Sequence, residues 1–160
     1  HMYCTESVCD QAALVHDTAH VRDPGAVTTA DVDILIPAAL EDQITRENVE
    51  QVRAGIVLEI ANGPTSSEAD AVLQRKGVVV LPDVLVNAGG VTVSYLEWVQ
   101  NKTGERWSRT RTHDALAEYM QRAYADVAQA ATEHGVSLRT AAYVVGIGRI
   151  VEALRARGRV

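Results

Sequence analysis

Phenylalanine is absent from this chain of 160 residues, and aromatic side chains make up only 4% of it. Large rings therefore cannot fill the interior. Small and aliphatic side chains must do so, which suits helices packed closely on a sheet. Only two cysteines occur, Cys4 and Cys9, too few for a disulfide framework, and no His or Cys elsewhere completes a metal-ligand spacing. They read as ordinary thiols in a reducing cytosol. No apolar stretch approaches the roughly 18 residues of a membrane span. No charged segment leads into an apolar one as a signal peptide requires, so the cytoplasm is the default compartment. Positive charge is also in short supply. The net charge is −6 and the pI about 5.3, which argues against a nucleic acid or an anionic membrane as partner. Basic residues concentrate only between Arg149 and Arg159, at the expected C-terminal end of a helix, where they complement its dipole.

What is present is enough to build a core. The chain is 47% hydrophobic and has the length of one domain. His1-Met2 has the look of a cleaved-tag scar. Residues 1–30 carry little pattern beyond a turn at Asp23-Pro24-Gly25, so they are read as a poorly defined N-terminal segment. Residues 31–160 form the domain proper. Ile34-Leu35-Ile36, Ile56-Val57-Leu58-Glu59-Ile60 and Val78-Val79-Val80-Leu81 are short, nearly continuous apolar runs, each stopped by Pro or by an Asn-Gly-Pro turn. Such runs predict parallel strands covered on both faces. A polar helical segment is expected over Thr45 to Ala54, with Val49 and Val52 facing inward. A second helix is expected after a Thr65–Glu68 capping box, with Ala69, Val72 and Leu73 on its buried face and Gly77 as its stop. Strand–helix–strand–helix–strand predicts right-handed parallel crossovers. Further helices follow. One is expected over Val91 to Lys102. A longer one carries Leu116, Tyr119, Met120, Ala123, Tyr124, Val127 and Ala131 on one stripe. The last begins near Leu138. The fold class is therefore α/β, with a parallel sheet of about three strands, crossover helices and C-terminal helices.

In open parallel sheets ligands bind beyond the carboxyl ends of the strands. Here those ends are Pro37-Ala38-Ala39-Leu40, Ala61-Asn62-Gly63-Pro64 and Asn87-Ala88-Gly89-Gly90. Small residues let a ligand approach the backbone, and an Asn side chain both donates and accepts, as an amide or a ribose hydroxyl requires. Asn87-Ala88-Gly89-Gly90 also opens a helix whose first N–H groups could receive an anion. Each loop alone reads as a turn. Three in succession point to a ligand crevice.

Those same residues carry a resemblance. The stretch from Asp33 through Leu40, the loop Ala61-Asn62-Gly63-Pro64, the block from Pro82 through Asn87-Ala88-Gly89-Gly90 to Asn101, and Arg139-Thr140-Ala141-Ala142-Tyr143 together resemble glutamate dehydrogenase, in the same order along the chain. The resemblance implies a partial Rossmann-like three-layer domain, a piece of an NAD- or NADP-binding domain whose family reaction is the oxidative deamination of glutamate to 2-oxoglutarate. It places Ala38, Ala39, Asn62 and Asn87 along the cofactor. It places Val91 and Ser94 at the substrate, with the Ser94 hydroxyl at the distal carboxylate, which favours the glutamate branch over relatives acting on apolar amino acids. Two departures matter. Ile60 stands where the family normally has Gly. The glycine-rich phosphate loop of a complete Rossmann unit has no counterpart; Gly146-Ile147-Gly148 has two of the three glycines and falls inside a helical pattern.

No catalytic residue is expected in the chain. Family chemistry implies a lysine of lowered pKa and a proton-shuttling aspartate from a separate substrate domain. The only lysines here, Lys76 and Lys102, sit away from the strand carboxyl ends. Ser, His and Asp form no nucleophile motif. The histidines read as solvated, and Trp98 and Trp107 as packing anchors. The expectation is a glutamate-dehydrogenase-like fragment or truncated homologue, inactive alone, acting as a homo-oligomer or with a complementary chain. The alternatives are a non-catalytic nucleotide- or partner-binding module and a repurposed biosynthetic protein on the same scaffold.

Overall fold

The computed structural model describes residues 24–159; Cys4, Cys9, His16 and His20 lie outside them. Strands β1 (Ile34–Leu35), β2 (Ile56–Leu58) and β3 (Val79–Leu81) form a parallel sheet in the order β1-β2-β3. The register sets Leu35 beside Val57 and Val57 beside Val80. Strand side chains alternate between faces, so this row points one way, into a core shared with Ile44, Val49, Val52, Ala54, Ala69 and Leu73. Ala69 and Leu73 come from helix α1 (Ser67–Arg75), which makes the crossover from β2 to β3.

The other crossover is not a helix. Between β1 and β2 only a 3-10 turn forms, at Val49–Gln51. Local side-chain bonds win over helical ones here. The Thr45 N–H donates to Asn48 Oδ1 at 2.9 Å, while Asn48 Nδ2 donates to the Gln43 carbonyl at 2.8 Å. Lys76 Nζ then donates to the carbonyls of Val49, Glu50 and Val52 at 3.1, 2.8 and 2.9 Å. Val49 and Val52 are buried as expected, by a different backbone.

The start of α1 also differs from expectation, by one residue. Ser66 is the cap, its hydroxyl accepting from the Ala69 N–H at 3.2 Å. Thr65 instead bridges to Ile44 and is buried, with its hydroxyl unpartnered. Thr65-Ser66-Ser67 offers three hydroxyls in a row. The tertiary bridge decides which one caps.

Four helices complete the chain: α2 (Asp83–Val86), α3 (Ala88–Thr103), α4 (Arg109–His134) and α5 (Leu138–Ala156). Ser108 and Ser137 cap α4 and α5 by accepting the N–H three residues on. Gly104 and Gly135 close α3 and α4 in the left-handed conformation. Gly146-Ile147-Gly148 lies inside α5, so it is helix and not a phosphate loop. Helix α5 packs along α4 and touches β3 and α2. Leu85, Val127, Ala130, Ala141 and Ala142 make the second core.

The second face of the sheet departs from expectation. Ile34 is 51% exposed and Val79 49%, although the runs are apolar at both alternating positions. Helices α4 and α2 approach this face. They do so at its carboxyl end, where Leu58, Leu81, Leu85, Val86, Met120 and Tyr124 line an apolar hollow of about 320 Å³. Tyr119 and Tyr124, expected on the buried stripe of α4, are exposed; Val127 of that stripe is buried as expected, and Ala130 joins it. Trp98 is no packing anchor either. It is 55% exposed, stacked on Tyr95 with Lys102 over its ring. No described helix is long and apolar enough to cross a membrane.

Candidate functional site

The loops that follow the three strands lie side by side, and hydrogen bonds stitch them together. After β1, the Pro37 carbonyl accepts from the N–H groups of Ile60 and Ala61 at 3.1 and 3.0 Å. This ties the Ala38-Ala39 loop to the loop after β2, and both alanines are exposed. Asp42 and Gly63 are joined likewise, Asp42 N–H to Gly63 carbonyl at 3.0 Å. Gly63 has φ +53°, a left-handed backbone that a side chain would strain.

Asn62 and Asn87 meet. Asn87 Nδ2 donates to Asn62 Oδ1 at 2.6 Å, across 25 residues of sequence. The pairing consumes one donor of Asn87 and an acceptor position of Asn62. The Asn62 amide hydrogens and the Asn87 oxygen make no other hydrogen bond within the described residues. The pair thus presents a donor and an acceptor side by side, complementary to a carboxamide or a hydroxyl. Ile60 is exposed beside this loop and makes no contact that distorts it.

Asn87 joins α2 to α3, and helical spacing puts Asn87, Val91 and Ser94 on one side of α3. Val91 is 69% exposed. The Ser94 hydroxyl donates back to the Gly90 carbonyl at 3.2 Å. A Cβ at Gly90 would meet nothing within 4 Å, which leaves room for a ligand; Gly89 instead faces Leu116 and Met120 of α4. The helix start offers less to an anion than the sequence suggested. Asn87 is itself helical, and its N–H already donates to the Asp83 carbonyl at 2.9 Å.

Beneath the loops lies a charged cluster that the sequence reading missed. Arg139 of α5 reaches three carboxylates: Glu59 at 2.7 Å, Asp70 at 3.1 Å and Asp83 at 3.4 Å. Glu59, at the end of β2, has no exposed surface. Burial penalises the Arg139 charge, but hydrogen bonds to Glu59 and then Asp70, with their negative charges, outweigh that and hold the guanidinium above its ordinary range. A signal was available. Glu59 interrupts an apolar run, and a charge buried in a strand needs a partner. Lys76 and Lys102 are engaged elsewhere, on the carbonyls of the 3-10 turn and over the Trp98 ring. No group of three His, Cys, Asp or Glu that could hold a metal occurs among the described residues.

A three-stranded parallel sheet with a crossover helix and C-terminal helices defines an open α/β class. Within that class the chain belongs to the Glutamate/Leucine/Phenylalanine/Valine dehydrogenase family, whose model matches residues 4–158. It is 47% identical over 157 residues to an NADP-specific glutamate dehydrogenase of Synechocystis sp., covering 98% of this chain and 36% of that protein. It is 46% identical over 128 residues to an NAD-specific glutamate dehydrogenase of Staphylococcus aureus, covering 80% of this chain and 31% of that one. The hetero-hexameric glutamate dehydrogenase of Thermus thermophilus, solved with Leu bound, superposes with a TM-score of 0.83 at 32% identity, over 92% of this chain and 36% of that one. The chain thus spans about a third of the length of the curated relatives it matches.

Proposed function

We propose that this chain forms the nicotinamide-side wall of a glutamate dehydrogenase crevice. The observation that carries the reading is the Asn62–Asn87 pair, which brings an unused donor and acceptor together from the loop after β2 and the α2–α3 junction. A bound nicotinamide cofactor would take the hydride from the α-carbon of the amino acid. The chain's own residues would orient the two reactants. Ala38 and Ala39 leave the backbone open to the cofactor, and Asn62 and Asn87 hydrogen-bond its amide or ribose. Val91 lies against the aliphatic part of the substrate. The Ser94 hydroxyl turns from the Gly90 carbonyl to donate to the distal carboxylate. The residues fit one end of a dinucleotide. Among the described residues no glycine-rich turn is built for its pyrophosphate, so affinity is expected to be weak.

Catalysis needs more than this wall. With Lys76 and Lys102 both engaged away from the crevice, we propose that a complementary polypeptide segment supplies the proton-transfer groups. The exposed apolar sheet face supports association with another copy or a complementary chain. Both NADP- and NAD-specific relatives match, and the choice between the cofactors is not built from any residue of the pair. A titration followed by NMR tests the reading. NADH or NADPH should shift the Asn62 and Asn87 side-chain amide signals selectively, at roughly millimolar concentration given a few hydrogen bonds of ~1 kcal/mol each. Asn62→Ala should abolish the response. Shifts confined to other loops would sink the reading, and micromolar affinity would refute its incomplete phosphate site.

A further inference from the structure

We propose that Asp83 is a positioning residue that holds the Asn62–Asn87 pair in place. The proposal rests on that pair being the ligand-facing feature, but its core claim concerns the free protein.

Asp83 occupies the first position of α2, between the two asparagines, and it contacts the segment of each. Its carboxylate Oδ2 accepts from the N–H of Gly63, the residue after Asn62, at 2.8 Å. Its backbone carbonyl accepts from the N–H of Asn87 at 2.9 Å. One residue therefore sets the distance between the loop after β2 and the junction that carries Asn87. Both backbones are anchored to it, and the two amides meet at 2.6 Å.

Asp83 is in turn fixed from behind. Its own N–H donates to Glu59 Oε2 at 2.9 Å, and its Oδ1 accepts from the Val84 N–H at 2.7 Å and from Arg139 at 3.4 Å. Glu59 is the fully buried end of β2 and is gripped by Arg139 through its other oxygen at 2.7 Å. The relay runs from α5, through Arg139 and Glu59, to Asp83, and from there to both asparagines. Every link is a hydrogen bond with at least one charged partner, except the Asn87 N–H. Charge-assisted bonds are the shorter and stronger kind. Gly63 completes the device. It holds a left-handed φ of +53° while its N–H donates to Asp83, a backbone that a side chain would strain.

A purely structural Asp83 would be a strut in the charged cluster, and removing it would lower stability alone. A positioning Asp83 must also move the Asn side chains. The test is NMR on the ligand-free chain. In the wild type, the Gly63 amide should resist hydrogen exchange although Gly63 is exposed, and should show through-bond coupling to the Asp83 carboxyl carbon. Asp83→Asn should fold, shift the Gly63 amide upfield, and collapse the Asn62 and Asn87 side-chain signals toward those of free amides. Asp83→Glu should not restore them, because the longer side chain displaces Oδ2. Free exchange at Gly63 in the wild type would overturn the proposal, whether or not either variant folds. So would unchanged Asn side-chain signals in Asp83→Asn. A cofactor titration on both proteins separates the two readings. Weaker binding by about fivefold in Asp83→Asn, the cost of roughly one hydrogen bond, supports the relay and the ligand site together. No cofactor response in either protein, with the Asn signals still collapsed by the substitution, defeats the ligand site and leaves the relay standing.

Discussion

The sheet half and the helical half of this molecule are held together by different means. The sheet half buries branched aliphatic side chains: Ile44, Val49, Val57 and Leu73 are almost wholly enclosed. The helical half buries mainly alanines, Ala130, Ala141 and Ala142, with Val127 and Leu85. Alanine removes little apolar area from water, and hydrophobic stabilisation follows area at about 25 cal/mol per Å². The helical half is therefore the weaker core, and it joins the sheet half through an ion cluster rather than an apolar contact alone. Arg139 is the only cation in that cluster, set against Glu59, Asp70 and Asp83. The lesson is that a thin core can be docked by a charge network, provided every buried charge has its partner.

The largest expected effect comes from breaking that dock. Arg139→Met should destabilise the chain by about 3–5 kcal/mol, because it strands the buried Glu59 carboxylate. The denaturant midpoint reads it. Adding Glu59→Leu to that variant should recover much of the loss, since an apolar pair needs no compensation. A loss below about 1 kcal/mol for the single variant would mean that the alanine core docks α5 unaided.

A smaller effect tests the other asymmetry, that the sheet half has one dry face and one exposed face. Light scattering should show association of the chain. Ile34→Lys, a charge placed on the exposed face of β1, should weaken it by about tenfold, or ~1.4 kcal/mol. A strict monomer at high concentration would refute association through this face.

The smallest effect probes the one polar flaw of the sheet half. Thr65 is buried beside Ile44 with an unpartnered hydroxyl. Thr65→Val keeps the β-branched shape and removes the flaw, so thermal unfolding should rise by the equivalent of up to ~1 kcal/mol. A fall in stability would mean that the hydroxyl has a partner, such as a buried water.

Much of this was legible in the chain itself. Three apolar runs broken by Pro or Asn-Gly-Pro predict three parallel strands, and they form at Ile34–Leu35, Ile56–Leu58 and Val79–Leu81. Their carboxyl ends brought Asn62 and Asn87 into candidacy, and the two side chains meet. Val91 and Ser94 entered through the resemblance, and helical spacing sets them on the same side of α3 as Asn87. The family was legible in the long block from Pro82 through Asn87-Ala88-Gly89-Gly90 to Asn101, because so many residues in one fixed order make a specific match.

Other features were decided only by the tertiary structure. Whether Thr65 or Ser66 caps α1 depended on a bridge to Ile44, which lies 21 residues earlier. Local bonds of Asn48 break the helix expected over Thr45 to Ala54, and Lys76, whose ammonium group collects three carbonyls from 24 to 27 residues away, ties down the turn that replaces it. The runs were apolar on both alternating positions, yet only one face is covered by the described residues. Periodicity reports which side chains avoid water, and it is silent on what arrives to cover them. The Arg139 cluster is the clearest case. Glu59, Asp70, Asp83 and Arg139 span 80 residues. A local pattern can mark each as polar. Only the folded chain can bring one guanidinium within reach of three carboxylates, because charge pairing acts over a few ångströms of space and takes no account of distance along the sequence.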